Sequence, residues 1–108
     1  MKEFETLEEI HQFIKSGRIR LLYLSRPKCG VCTAMKPKVI DIINEYSEME
    51  GAYIDMDKIP ASAGEFSIFT IPGIIVYIDG KEIIREARFI SMDDITSRID
   101  RFYGMLYS

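Results

Sequence analysis

Leu21-Leu22-Tyr23-Leu24-Ser25-Arg26-Pro27-Lys28-Cys29-Gly30-Val31-Cys32 is the stretch whose reading decides the fold. Its first part belongs to a run, Arg18 to Leu24, that turns from alternating to continuously apolar, as a strand buried on both faces does. Its last part is a loop with C-x-x-C spacing. Helical periodicity follows at Met35, Val39, Ile42, Ile43 and Tyr46, interrupted by Pro37, and Gly51 is expected to end that helix. Cys29 falls at or just before the helix N-terminus, where unpaired N–H groups and the macrodipole favour a thiolate. Cys32 lies one turn later on the same face, near enough to close a small disulfide ring. Lys28 adds a positive charge beside Cys29, and Gly30 allows the tight entry into the helix.

Outward from this stretch the chain divides cleanly. Thr6-Leu7-Glu8-Glu9 forms a capping box, Leu7, Ile10, Phe13 and Ile14 share one helical face, and Gly17 marks the stop. His11 lies on the polar side of that helix with Glu8 and Lys15 and reads as a solvated residue. Ala52 to Asp57 reads as a second strand, and Pro60 to Phe66 as one or two helical turns. Met35 and Met56 read as core filler. Thr70-Ile71-Pro72-Gly73 breaks the chain before the β-branched strand Ile74 to Ile78. Asp79-Gly80 is a two-residue hairpin turn leading into a polar edge strand, Lys81 to Glu86. Ser91 with Asp94 resembles a second capping box, followed by a stripe of Ile95, Ile99, Phe102, Tyr103 and Leu106. The order α-β-α-β-α-β-β-α has two β-helix-β crossovers, which imply parallel pairing, and one hairpin, which implies antiparallel pairing. An α/β fold with a mixed four-stranded sheet and helices on both faces is the economical solution.

Length and composition bound the function. With 108 residues the chain is expected to be a single domain, residues 1–108, able to bury about 65% of its unfolded surface without staples. Fourteen Lys+Arg against 17 Asp+Glu give a formal charge of −3, with no charge block longer than a few residues, which argues against nucleic acid as the main partner. No apolar run approaches the roughly 18 residues of a membrane span. The acidic start, Met1-Lys2-Glu3-Phe4-Glu5, lacks the apolar core of an export signal, so a cytoplasmic location is expected. The helical face of Phe102, Tyr103, Leu106 and Tyr107 is expected to dock on the sheet of a monomer.

Two cysteines alone do not make a secreted disulfide scaffold. Half of a zinc site is one alternative to redox chemistry, but His11 is the one further soft ligand and has no partner near it in sequence. A pair of buried, chemically silent thiols is the other.

At these residues the chain resembles the thioredoxin family, over nearly its whole length. Cys29-Gly30-Val31-Cys32 is similar to that family's redox motif. Pro37, five residues after Cys32, matches the proline that kinks the active-site helix. Ile71-Pro72 is similar to the cis-proline step, which lies beside the two sulfurs and offers the Ile71 backbone to a bound peptide. Asp79-Gly80-Lys81 matches the hairpin of the last two strands. The departures are equally definite. Lys28 stands where the family usually has tryptophan, and Val31 where it has proline. Tyr23 replaces a buried acid, Tyr53 its partner lysine, and Gly73 the threonine after the cis-proline. These changes bear on catalytic speed and substrate choice.

The resemblance implies a thioredoxin fold and a thiol–disulfide oxidoreductase that reduces protein disulfides. Cys29 would attack a substrate disulfide and Cys32 would resolve the mixed disulfide. Lys28, Gly30 and Val31 would support the motif, and Ile71 and Pro72 would position the substrate. No cofactor or metal is implied; electrons would come from a thioredoxin reductase. Two rivals stand beside this reading. One is a glutaredoxin-like enzyme using glutathione, favoured by Thr70-Ile71-Pro72 but lacking a Gly-Gly pair between Ile83 and Ser91. The other is a thioredoxin-fold binding module with vestigial cysteines.

Overall fold

Thr6 caps the first helix as its box requires. Its Oγ1 accepts the Glu9 N–H at 3.2 Å, and the Glu9 carboxylate accepts the Thr6 N–H at 3.1 Å. From there the computed structural model, which describes residues 1–107, runs in a fixed alternation of elements. These are β1 (Lys2–Glu3), α1 (Leu7–Lys15), β2 (Ile19–Ser25), α2 (Gly30–Glu45), β3 (Met49–Asp55), α3 (Ser62–Phe66), β4 (Gly73–Ile78), β5 (Lys81–Ala87) and α4 (Met92–Tyr107).

The strands form one mixed sheet in the order β1-β3-β2-β4-β5. β1, β3 and β2 run parallel, while β4 is antiparallel to both β2 and β5. The expected four strands are therefore five. The additional one is two residues long, with Lys2 and Glu3 set against Ala52 and Tyr53. Both residues are exposed and polar, so backbone pairing to the edge of β3 holds them, and such a strand has no apolar period to read.

All seven residues of β2 are buried, because β2 is the central strand and is covered on both faces. Leu22 and Leu24 pack with Ile10 and Phe13 of α1 and Phe66 of α3. Ile19, Leu21 and Tyr23 pack on the other face with Val39 and Ile42 of α2 and Ile95 and Ile99 of α4. Each fully buried aliphatic side chain contributes about 1.5–3 kcal/mol by transfer, so these two layers dominate stability. Asp79 and Gly80 have φ of 52° and 79°, the mirror-image turn whose twist matches a hairpin.

Gly51 does not end the second helix. That helix stops at Glu45, with Tyr46 as its C-cap, and Gly51 lies buried inside β3. The reason is steric: Ile43 of α2 packs over the strand where a Cβ at Gly51 would stand. A glycine read as punctuation is a contact between layers.

Candidate active site

The sheet's topology gathers the predicted site at one end. Ser25 at the end of β2 lies beside Asp55 at the end of β3, and Leu24 pairs with Gly73 at the start of β4. Gly73 in turn pairs with Ala87 at the end of β5. The cysteine loop, the Ile71-Pro72 step and the β5–α4 loop therefore rim one edge.

Cys29 is the N-cap of α2, in extended backbone (φ −99°, ψ 107°). Its Sγ accepts the Cys32 N–H at 3.1 Å, and its carbonyl accepts the Thr33 N–H at 3.0 Å. A sulfur there faces the free amides and positive end of a 16-residue helix, which stabilise negative charge. Cys29 and Cys32 are joined by a disulfide, with Cα atoms 5.2 Å apart. Cys29 is half-buried, whereas Cys32 is 1% exposed and belongs to the α2-side core. Gly30 opens α2, Lys28 and Pro37 are exposed, and Val31 is 61% exposed between the cysteines.

The Ile71–Pro72 peptide bond is cis. Pro72 is buried and Ile71 half-buried, packing against both core layers. The Pro72 carbonyl accepts the Arg88 N–H at 2.8 Å, tying this step to the end of β5. Gly73 has a local cause: a Cβ there would stand 2.8 Å from Cγ2 of Ile68. Ile68 occupies the space that a side chain after Pro72 would need.

Tyr23 lies beneath the cysteines. It is fully buried, and its hydroxyl donates to the Cys32 carbonyl at 2.5 Å. Tyr53 is its register partner on β3, with ring centroids 6.2 Å apart. Burial first, then the neighbouring Tyr53 phenol, pushes Tyr23 up to about 12. The group stays a neutral donor at any physiological pH. A cleft of about 260 Å³ opens beside this pair, lined by Cys32, Tyr53, Lys36 and Asp55 among others. The Lys36 ammonium lies over the Tyr53 ring at 4.6 Å, and the Asp55 carboxylate accepts the Asp57 and Lys58 backbone N–H groups.

Burial also pushes Tyr77 up to about 12 and raises Tyr46, whose hydroxyl donates to Asp100. Above pH 10 these phenols ionise in the unfolded chain while the native chain keeps their protons. The unfolded state then binds fewer protons, so stability is retained below pH 10 and falls as pH rises toward 12. Urea unfolding at pH 8, 10 and 11 should show a falling midpoint above pH 10. A flat profile would contradict the burial of these hydroxyls.

Two placements differ from sequence-based expectation. His11 is only half exposed: its Nε2 meets the Glu65 carboxylate at 2.5 Å and its ring lies 5.5 Å from Phe66. This places it on the α1–α3 face of the sheet, away from the cysteines. Arg88, Phe89 and Ile90 in the loop after β5, absent from the predicted site, line a depression with Val31 and Met35. The usable signal was Phe89-Ile90, two large apolar residues in the loop just before the Ser91 cap.

The arrangement supports thiol–disulfide redox chemistry in general terms, and comparison with known proteins agrees. The family model described as Thioredoxin matches residues 3–101. Thioredoxin-like protein YdfQ of Bacillus subtilis is 34% identical over 105 residues, covering 97% of this chain and 94% of that protein. Thioredoxin of Chlamydia caviae is 25% identical over 101 residues, covering 94% and 98%. Among solved structures, Fasciola hepatica thioredoxin superposes with a TM-score of 0.84 at 26% identity, covering 94% of this chain and 98% of that one. Oxidised mitochondrial thioredoxin 3 from Saccharomyces cerevisiae gives 0.82 at 21% identity, with 94% of each chain covered, a likeness of fold.

Proposed function

The chain belongs to the thioredoxin family, and from that premise we propose that it reduces protein disulfides through the Cys29/Cys32 dithiol. The observation that carries this reading is the asymmetry of the pair: a half-buried Cys29 sulfur on the helix N-terminus, bonded to a buried Cys32.

In the reduced protein the Cys29 thiolate attacks one sulfur of a substrate disulfide. The substrate S–S bond breaks, a mixed disulfide forms, and the first substrate thiolate leaves. Cys32 then loses its proton and attacks the Cys29 sulfur, expelling the second substrate thiolate. The substrate gains two electrons and, with two protons, becomes a dithiol. The protein is left with the Cys29–Cys32 disulfide. The amides of α2 stabilise the Cys29 thiolate, and Lys28 adds positive charge at the same end. Ile71, beside the cis-proline, offers its backbone to an extended substrate segment. A thioredoxin reductase returns the electrons, and no bound cofactor is needed. Family resemblance is the support for that donor and for a monomeric, cytoplasmic protein. Among the described residues no helix is long and apolar enough to cross a membrane.

Insulin reduction driven by dithiothreitol tests the reading. Wild type should accelerate precipitation of the insulin B chain several-fold over dithiothreitol alone, and Cys29→Ser should not accelerate it. Equal rates for the two proteins would leave a binding module that uses the same rim without turnover.

A further inference from the structure

Arg88 has a φ of 69°, in the left-handed region that a long side chain enters only at a cost. The backbone there is held by the Arg88 N–H bond to the Pro72 carbonyl, so the strain is fixed against the substrate-binding step. Its guanidinium stacks on the ring of Phe89 at 4.7 Å, and Phe89 is itself 81% exposed. Arg88 and Phe89 border the depression of about 430 Å³ that Val31, between the two cysteines, closes from the other side. Lys28, next to Cys29 in the chain, is exposed as well.

The charges at this end are unequal in a way the net charge of −3 hides. Three of its carboxylates have partners: Asp57 pairs with Arg26 at 2.6 Å, Glu86 with Arg98 at 3.0 Å, and Asp55 accepts backbone N–H groups, whereas Glu3, on the wall of the cleft with Cys32, makes no ion pair among the described residues. Lys28 and Arg88 have no carboxylate partner among the described residues. Asp41 of α2 and Asp93 of α4 line an adjoining groove that shares Val31, Met35, Ile90 and Ser91 with the depression, while Arg88 borders the depression itself.

Resting on the reductase reading above, we propose that Lys28 and Arg88 select substrates whose reacting cysteine is flanked by acidic residues. An extended segment crossing the rim would lay an apolar residue on Val31 and Phe89. It would set carboxylates against the two cations on either side of its sulfur. Such contacts on a wet rim act on encounter and orientation, and they weaken with salt.

The test uses the reduced full chain and two short peptides, each oxidised to a disulfide-linked dimer. The peptides differ only in having Glu or Lys on both sides of the cysteine. Second-order rates are measured for wild type, Lys28→Gln, Arg88→Gly, the double variant of these two, Arg88→Lys, Cys29→Ser, and Lys15→Gln as a distant control. Comparing proteins on the same peptide cancels the effect of the flanks on the leaving thiol. The acidic-to-basic rate ratio should fall about three-fold for Lys28→Gln and for Arg88→Gly, and about ten-fold for the double variant at low salt. Arg88→Lys and Lys15→Gln should keep the wild-type ratio, and about 0.5 M salt should compress the differences. Glycine relieves the positive φ, so Arg88→Gly should melt no lower than wild type, as a purely structural arginine would not allow. A ratio indifferent to both cations overturns the selectivity. If neither peptide reacts in a Cys29-dependent way, it is the reductase reading that fails.

Discussion

Replacing Cys32 by Ser should leave the first attack intact and stop the reaction at a mixed disulfide on Cys29. Incubated with a disulfide substrate, the variant should accumulate an adduct whose lifetime exceeds that of wild type on the order of 10³-fold or more. The size follows from losing an intramolecular thiol held one helical turn from the bond it must break. Cys29→Ser should trap nothing, because Cys32 is 1% exposed and cannot meet an incoming disulfide without opening the core around it. The same asymmetry should appear in the reduced wild type. Iodoacetamide at pH 7 should modify Cys29 about ten-fold faster than Cys32, since access and the α2 N-terminus both favour the Cys29 thiolate. Mass spectrometry of the adducts and of the alkylated peptides reads both outcomes. Adducts on Cys32, or faster alkylation of Cys32, would reverse the assigned roles.

How much of this was legible in the sequence depends on what kind of signal each element leaves. β2 was readable because burial on both faces demands a continuous apolar run, and α2 because its stripe recurs at helical spacing. The Thr6 box and the Asp79-Gly80 turn were readable because each is satisfied within a few residues. What failed was long-range. β1 exists through pairing with Ala52 and Tyr53, some 50 positions away in the chain, and its two residues carry no pattern. Gly51 was misread because its cause, Ile43 packing across from α2, is a contact between layers. The placement of Cys29 and Cys32 at the start of α2 and of the cis Ile71–Pro72 step was legible because a short motif and a proline mark them. Arg88 was not, since nothing local marks a positive φ at an arginine or its bond to Pro72.

Tyr23→Asp is expected to change the second chemical step more than the first. Cys32 must lose a proton before it can attack Cys29, and it does so in a buried place. The group beneath it in wild type is a phenol held up to about 12 by burial, donating its own proton to the Cys32 carbonyl. Tyr23 therefore cannot accept the thiol proton near neutrality, and water from the adjoining cleft or the departing substrate thiolate must do so. Resolution should then be the slower and more pH-dependent step, rising with pH toward the thiol range near 8.5. A carboxylate at this position gives an acceptor on the same side as Cys32, and resolution near pH 7 should speed up about ten-fold or more. The same change removes a ring from a packed layer and buries a carboxyl, so a loss of several kcal/mol in stability is expected. Tyr23→Phe separates the two effects. It keeps the ring, gives up the hydrogen bond at a cost of about 1 kcal/mol, and should not accelerate resolution. Stopped-flow decay of a preformed Cys29 mixed disulfide, from about pH 6 to 9 around the thiol pKa, compares the three proteins. If folded Tyr23→Asp resolves no faster than wild type and Tyr23→Phe, proton removal from Cys32 does not limit the step. Tyr23 would then act only by packing against Tyr53 and holding the first turn of α2 in place.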